Sequence, residues 1–135
     1  MRTVRTTQNG GSDGMETLSP VVGRLLGAIN SHDAHAVAAC FSADCKQDTP
    51  LHPSRDFTGS EQVYRNWSRL LADVPDLRAE ILRWAVHGDE VWTEWDMSGT
   101  RQDGSRQVFR GVAVHEVSGD LIRSTRFYLE PVVDP

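Results

Sequence analysis

The chain has 135 residues, ordinary apolar content and four Trp, enough for one domain with a hydrophobic core and no need of disulfide or metal staples. A formal net charge of -5 with no basic run excludes broad nucleic-acid binding, which needs Lys and Arg clustered against phosphates. No apolar stretch is long enough to span a membrane.

Residues 1–18 read as a flexible tail, because Thr, Gln, Asn, Gly and Ser dominate and apolar residues are too sparse to drive ordering. Arg2 and Arg5 precede no hydrophobic segment, so this end does not read as a secretory signal. The domain is placed at 19–135. Ser19-Pro20 marks an N-cap and first helical position, and Val21, Val22, Leu25, Leu26 and Ile29 follow at helical spacing. Asn30 to Asp33 interrupts that stripe. Asp33 then caps a second short helix that turns Val37, Ala38 and Phe41 inward. Cys45 to Gln47 reads as a short strand, and Asp48 to Phe57, with Pro50 and Pro53, as a loop. Gly59-Ser60 opens a third helix with the stripe Val63, Tyr64, Trp67, Leu70 and Leu71.

Everything after Asp76 reads as strands. Leu77 to Val86 is the first long one. Its apolar parity switches near Ile81-Leu82, which predicts a β-bulge that bends the sheet. Glu90 to Ser98 alternates, with Val91, Thr93, Trp95 and Met97 on one face and Trp92, Glu94 and Asp96 on the other. Val108 to Val117 and Leu121 to Val132 follow after turns at 99–105 and 118–120. The expected fold is α+β: a strongly curved antiparallel sheet, four long strands plus a short one, wrapped on three helices. Such a roll encloses a cone with a central apolar pocket. Cys40 and Cys45 read as free buried thiols of a reducing, cytoplasmic setting rather than a disulfide or zinc pair.

Four stretches, in this order and spacing, carry a family likeness: Ala28 to Asp33 leading to Phe41 to Cys45, Phe57 to Ser60, Val74 to Leu77, and Gly119 to Ile122 followed by Arg126 to Pro131. On them the chain resembles the nuclear transport factor 2-like superfamily, in particular its SnoaL-like branch. The resemblance implies a cone-shaped fold, a homodimer formed through the open sheet face, and chemistry without a cofactor. It does not fix an activity, since the superfamily spans isomerases, cyclases, dehydratases, hydrolases and non-catalytic binding domains.

The resemblance points to three candidate catalytic residues. Asp48 lies near the general-base Asp of ketosteroid isomerase-like members, although Thr49 stands between it and Pro50; the other reading is an Asx-turn residue. Glu130 stands near a catalytic Asp of the last strand in some hydrolases, with Arg126 and Tyr128 on its strand face; the other reading is a surface pair with Arg126. His115 falls near the His of a His–Asp pair in SnoaL-like cyclases, without its Asp, and could equally sit at a sheet edge or dimer face. Leu25 and Ala113 occupy the positions of the isomerase oxyanion pair, and Trp95 and Met97 those of an epoxide hydrolase Arg and Asp, so neither set is complete. Tyr64, Trp67, Trp95, Met97 and Phe109 are expected to line the pocket, with Arg126 and Tyr128 orienting a carbonyl or hydroxyl. His32 and His35 share a helix face, yet no metal site is expected there. The leading expectation is a cofactor-free acid–base enzyme acting on a small hydrophobic metabolite. The alternative is a ligand-binding or assembly domain without catalysis.

Overall fold

The computed structural model describes residues 17–133. Most of the expected tail lies outside that range; Leu18, within it, packs against the core. Helix α1 (Pro20–Asn30) begins on a proline, whose fixed φ suits the first helical position, while the Ser19 hydroxyl makes no cap bond. Val21, Val22, Leu25, Ala28 and Ile29 form its buried stripe. In α2 (Ala34–Ala38) the Asp33 carboxylate accepts the Ala36 N–H at 3.0 Å.

Strand β1 (Phe41–Asp48) is longer than the expected Cys45 to Gln47. A 3₁₀ turn (Pro53–Arg55) and the two-residue β2 (Phe57–Thr58) then bring the chain back antiparallel to β1. Helix α3 (Ser60–Asp73) follows Gly59, whose φ of +107° is a glycine conformation. Val63 is its one buried residue, with Trp67, Leu70 and Leu71 half-buried against the core. Strands β3 (Arg78–His87), β4 (Glu90–Thr100), β5 (Arg106–Ser118) and β6 (Leu121–Pro131) start and end within two residues of the strands read from the sequence.

The six strands form one curved, unclosed sheet in the order β2-β1-β6-β5-β4-β3. Every pairing is antiparallel except β1 with β6, which is parallel. Parallel neighbours need a long crossover, and here α3 and the three hairpins supply it. The expected bulge is present: the β3–β4 register shifts between Ile81 and Arg83, leaving Leu82 exposed. A second bend device lies in β5. Gly111 has φ +144°, and a Cβ there would run into the Tyr128 carbonyl oxygen and come within 2.9 Å of Leu129 Cα. Only glycine lets β6 pass that close.

Two side chains tie the end of α1 and the turn after it to the start of the outer strand β3 and the residue before it. The Asn30 amide donates to the Ala79 carbonyl at 3.0 Å, and its oxygen accepts the Ala79 N–H at 2.7 Å, imitating a neighbouring strand. His32, at a left-handed φ of +57°, donates through Nε2 to the Leu77 carbonyl at 2.7 Å. Among the described residues, no helix is long and apolar enough to cross a membrane.

Candidate ligand pocket

Register sorts the side chains onto two faces, because residues directly opposite each other point the same way. Trp95 pairs with Gly111 and Gly111 with Leu129; Met97 pairs with Phe109, Ala113 with Phe127, and His115 with Thr125. That set faces the helices. Between it and them lies a cavity of about 30 Å³, lined by Leu25 and Ile29 from α1, Phe41 from β1, Trp67 from α3, and Trp95, Met97, Ala113, His115, Phe127 and Leu129 from the sheet. A cavity of that size holds about two waters at most. It is a narrow apolar slot, suited to a compact ligand whose entry moves its walls.

Among the described residues, His115 is the one ionisable side chain lining this slot. It is 2% exposed, and burial alone pushes its pKa from 6.5 down to about 4, so the ring is neutral near pH 7. Its Nδ1 lies 3.0 Å from the Thr125 hydroxyl. Its Nε2 is buried and has no hydrogen-bond partner among the described residues. Trp95 stands edge-to-face with the ring, 6.4 Å between centroids, as a wall. The Trp95 indole N–H donates to the Thr93 hydroxyl at 2.7 Å, which donates to the Ala113 carbonyl at 2.8 Å. That chain satisfies the indole and fixes its plane, whereas Nε2 of His115, a residue of the pocket wall, is unmet.

The other sequence candidates divide by parity. Trp67, Trp95 and Met97 line the slot. Phe109 shares their face through its pairing with Met97, but packs beside the slot against the core. Tyr64 is turned away: its ring stacks on His35 of α2, 4.4 Å between centroids, since that edge of α3 meets α2 rather than the sheet. Arg126, Tyr128 and Glu130 do share one strand face, as read from the sequence, but it is the face opposite Phe127 and Leu129, away from the cavity. There Arg126 donates to the Tyr128 hydroxyl at 3.1 Å. Glu130 pairs not with Arg126 but with His52, 3.0 Å from Nε2 to Oε1, and more distantly with Arg55 at 3.9 Å. Asp48 stands opposite Arg126 across the β1–β6 pairing, also outside the cavity. The loop after β1 is tied instead by Asp56, whose carboxylate accepts the Thr49 N–H at 2.7 Å.

Among the described residues, the slot thus collects one histidine and no carboxylate. Leu25, Ile29, Phe41, Ala113, Phe127 and Leu129 were not singled out as pocket residues from the sequence, and neither was Thr125 as the partner of His115. Inward parity beside Ala113 was the available signal. Both cysteines are buried free thiols whose pKa values burial raises, which makes them inert rather than nucleophilic. Among the described residues, no three His, Cys, Asp or Glu side chains are placed to hold a metal ion.

Solved structures show the same fold at low identity. A protein with a ketosteroid isomerase-like fold from Catenulispora acidiphila, in complex with trimethylamine, superposes with a TM-score of 0.73 at 20% identity, covering 83% of this chain and 87% of its own. An LEH-like epoxide hydrolase from M. tuberculosis gives 0.70 at 21% identity over 83% and 81%. A Mycobacterium tuberculosis protein in complex with estradiol-17beta-hemisuccinate gives 0.68 at 18% identity over 80% and 89%. Among curated proteins, none is similar enough to count as a match. These likenesses establish the nuclear transport factor 2-like fold, and the SnoaL-like domain family matches residues 22–125, most of the chain: this protein belongs to the SnoaL-like domain family.

Proposed function

We propose that this protein is a small-molecule pocket protein that takes a compact, largely hydrophobic molecule and anchors it by one hydrogen bond to His115. The observation that carries this reading is the buried, unpartnered Nε2 of His115 in an otherwise apolar wall. An unmet buried polar atom costs about 1–3 kcal/mol, and a ligand polar group placed there recovers part of that. Neighbours of this fold bind an amine and a steroid ester, which supports a small-molecule role without fixing the ligand. The test is a screen of compact ketones, alcohols and hydrocarbons against the full chain, read by the NMR resonances of the His115 ring. Ligands are expected to shift those resonances and to lose affinity in Ala113→Leu, which fills the slot. A screen in which nothing moves the His115 ring would sink the reading.

A second reading, cofactor-free acid–base turnover, is favoured by the titratable ring itself, with His115 as the one proton-transfer group at the substrate. Product formation from a bound metabolite, abolished in His115→Phe, would establish turnover over binding alone. The protein also pairs with a second copy through the sheet face away from the pocket, where Trp92 is 46% exposed beside Ala85 and Val114. A monomeric mass by light scattering at micromolar concentration would contradict that pairing.

A further inference from the structure

The geometry points to Thr125 as the residue that holds His115 in its Nε2–H tautomer, so that the pocket presents one hydrogen-bond donor and selects neutral molecules carrying an acceptor oxygen, a ketone or an ether. This inference rests on the pocket reading above and gives it a ligand class.

A neutral imidazole has one N–H and one lone pair, and the bond on one nitrogen fixes the role of the other. His115 Nδ1 and the Thr125 hydroxyl are 3.0 Å apart, which allows two arrangements. In the first, Nδ1–H donates to Thr125. The Thr125 proton then needs an acceptor, and no other hydrogen bond reaches this hydroxyl among the described residues, in a residue 1% exposed. Two buried groups would be unmet, the hydroxyl proton and the Nε2 lone pair. In the second, Thr125 donates to the Nδ1 lone pair. The hydroxyl proton is then satisfied, and two groups are left over: the weakly accepting hydroxyl oxygen of Thr125, and an N–H at Nε2 on the ring edge remote from Thr125, in a residue of the cavity wall. Each arrangement leaves one donor and one acceptor unmet, but an imidazole nitrogen is a stronger acceptor than a hydroxyl oxygen, so leaving the nitrogen bare costs more and the second prevails. Trp95, the ring's aromatic neighbour, stands 6.4 Å from it, centroid to centroid, and its own N–H is already committed to Thr93. The donor therefore has nothing in the wall to meet it. A ligand oxygen would meet it, whereas a ligand whose polar group can only donate, such as a pyrrole N–H, would not.

The test uses the full chain labelled with ¹⁵N at histidine. Two-bond proton–nitrogen spectra are expected to show His115 protonated at Nε2, with Nδ1 bare and hydrogen-bonded. Thr125→Val should move the Nδ1 resonance to that of a bare nitrogen without a donor, and Thr125→Ser should restore it. Affinity is then compared for cyclopentanone and methylenecyclopentane, which differ by an exocyclic oxygen against a CH₂. The ketone should bind about threefold to tenfold tighter, the range of one net hydrogen bond. A proton on Nδ1 in the unmodified chain overturns the inference while leaving the pocket reading intact. Equal binding of the two probes overturns it in the same way. An Nδ1 resonance unmoved in Thr125→Val removes the role of Thr125. Failure of both probes to bind overturns the pocket reading and this inference together, and the spectra of the free protein keep that outcome separate from a tautomer error.

Discussion

Replacing His115 by Phe should flatten the acid side of the protein's stability profile. In the unfolded chain an imidazole takes up its proton near pH 6.5. In the folded protein burial delays this to about pH 4, because the cation would sit in an apolar wall with no carboxylate to pair with it. Between those values the unfolded state binds more protons, so stability falls as pH falls. Above the upper value the group contributes nothing, and below the lower one its full cost is present. At about 1.4 kcal/mol for each tenfold in protonation, the cost reaches about 3 kcal/mol, a sizeable part of the 5–15 kcal/mol of a typical domain. His115→Phe has no such titration. It does leave the Thr125 hydroxyl unpaired, a cost of about 1–3 kcal/mol that is the same at every pH. Urea unfolding of both proteins between about pH 7 and pH 4 isolates the effect, since contributions from distant carboxylates cancel in the difference. The unmodified protein should lose about 3 kcal/mol more than the variant across that range. Parallel profiles would refute the claim that the imidazole is buried and neutral.

Asp48→Asn and Glu130→Gln, which alter side chains outside the slot, should each leave the affinity for cyclopentanone within about twofold by calorimetric titration, the expectation for groups with no ligand contact. Gly111→Ala should destabilise the protein by on the order of 3 kcal/mol in urea unfolding, combining a positive φ with a collision against the β6 backbone. Asn30→Ala removes both bonds to Ala79 and should cost about 1–3 kcal/mol, with β3 amides exchanging faster in hydrogen-exchange experiments.

The fold was largely legible because each long strand announces itself by alternation bounded by Gly-Asp or polar turns, and because a parity switch at Ile81-Leu82 has one simple structural meaning. What was not legible depended on contacts across the sheet. β2 is two residues long and owes its existence to β1, so no local pattern marks it. The length of β1 was hidden because its partner, β6, lies more than seventy residues away in the chain, and the polar run Ser42 to Asp44, half-buried then exposed, shows no apolar alternation. The parallel direction of that pairing is likewise a property of the whole topology.

The site was harder to read for a reason specific to β6. Arg126, Phe127, Tyr128, Leu129 and Glu130 alternate polar and apolar, so one of two opposite faces holds every acid and base. Family likeness drew attention to the charged set. Burial physics favours the other, since an amphipathic strand turns Phe and Leu toward the core and Arg and Glu toward water. Counting back from Phe127 puts Thr125 on the inward face, and counting forward from Ala113 on β5 puts His115 there too. That much follows from parity. That the two meet does not, because the β5–β6 register slips between Glu116 and Val117, and a slip of one residue exchanges the faces. A hydroxyl and an imidazole on inward parity amid Phe, Leu and Ala must find partners or remain unmet. Here the register gives them each other, leaving one nitrogen over, and the chemistry of the pocket follows from that remainder rather than from the carboxylates outside.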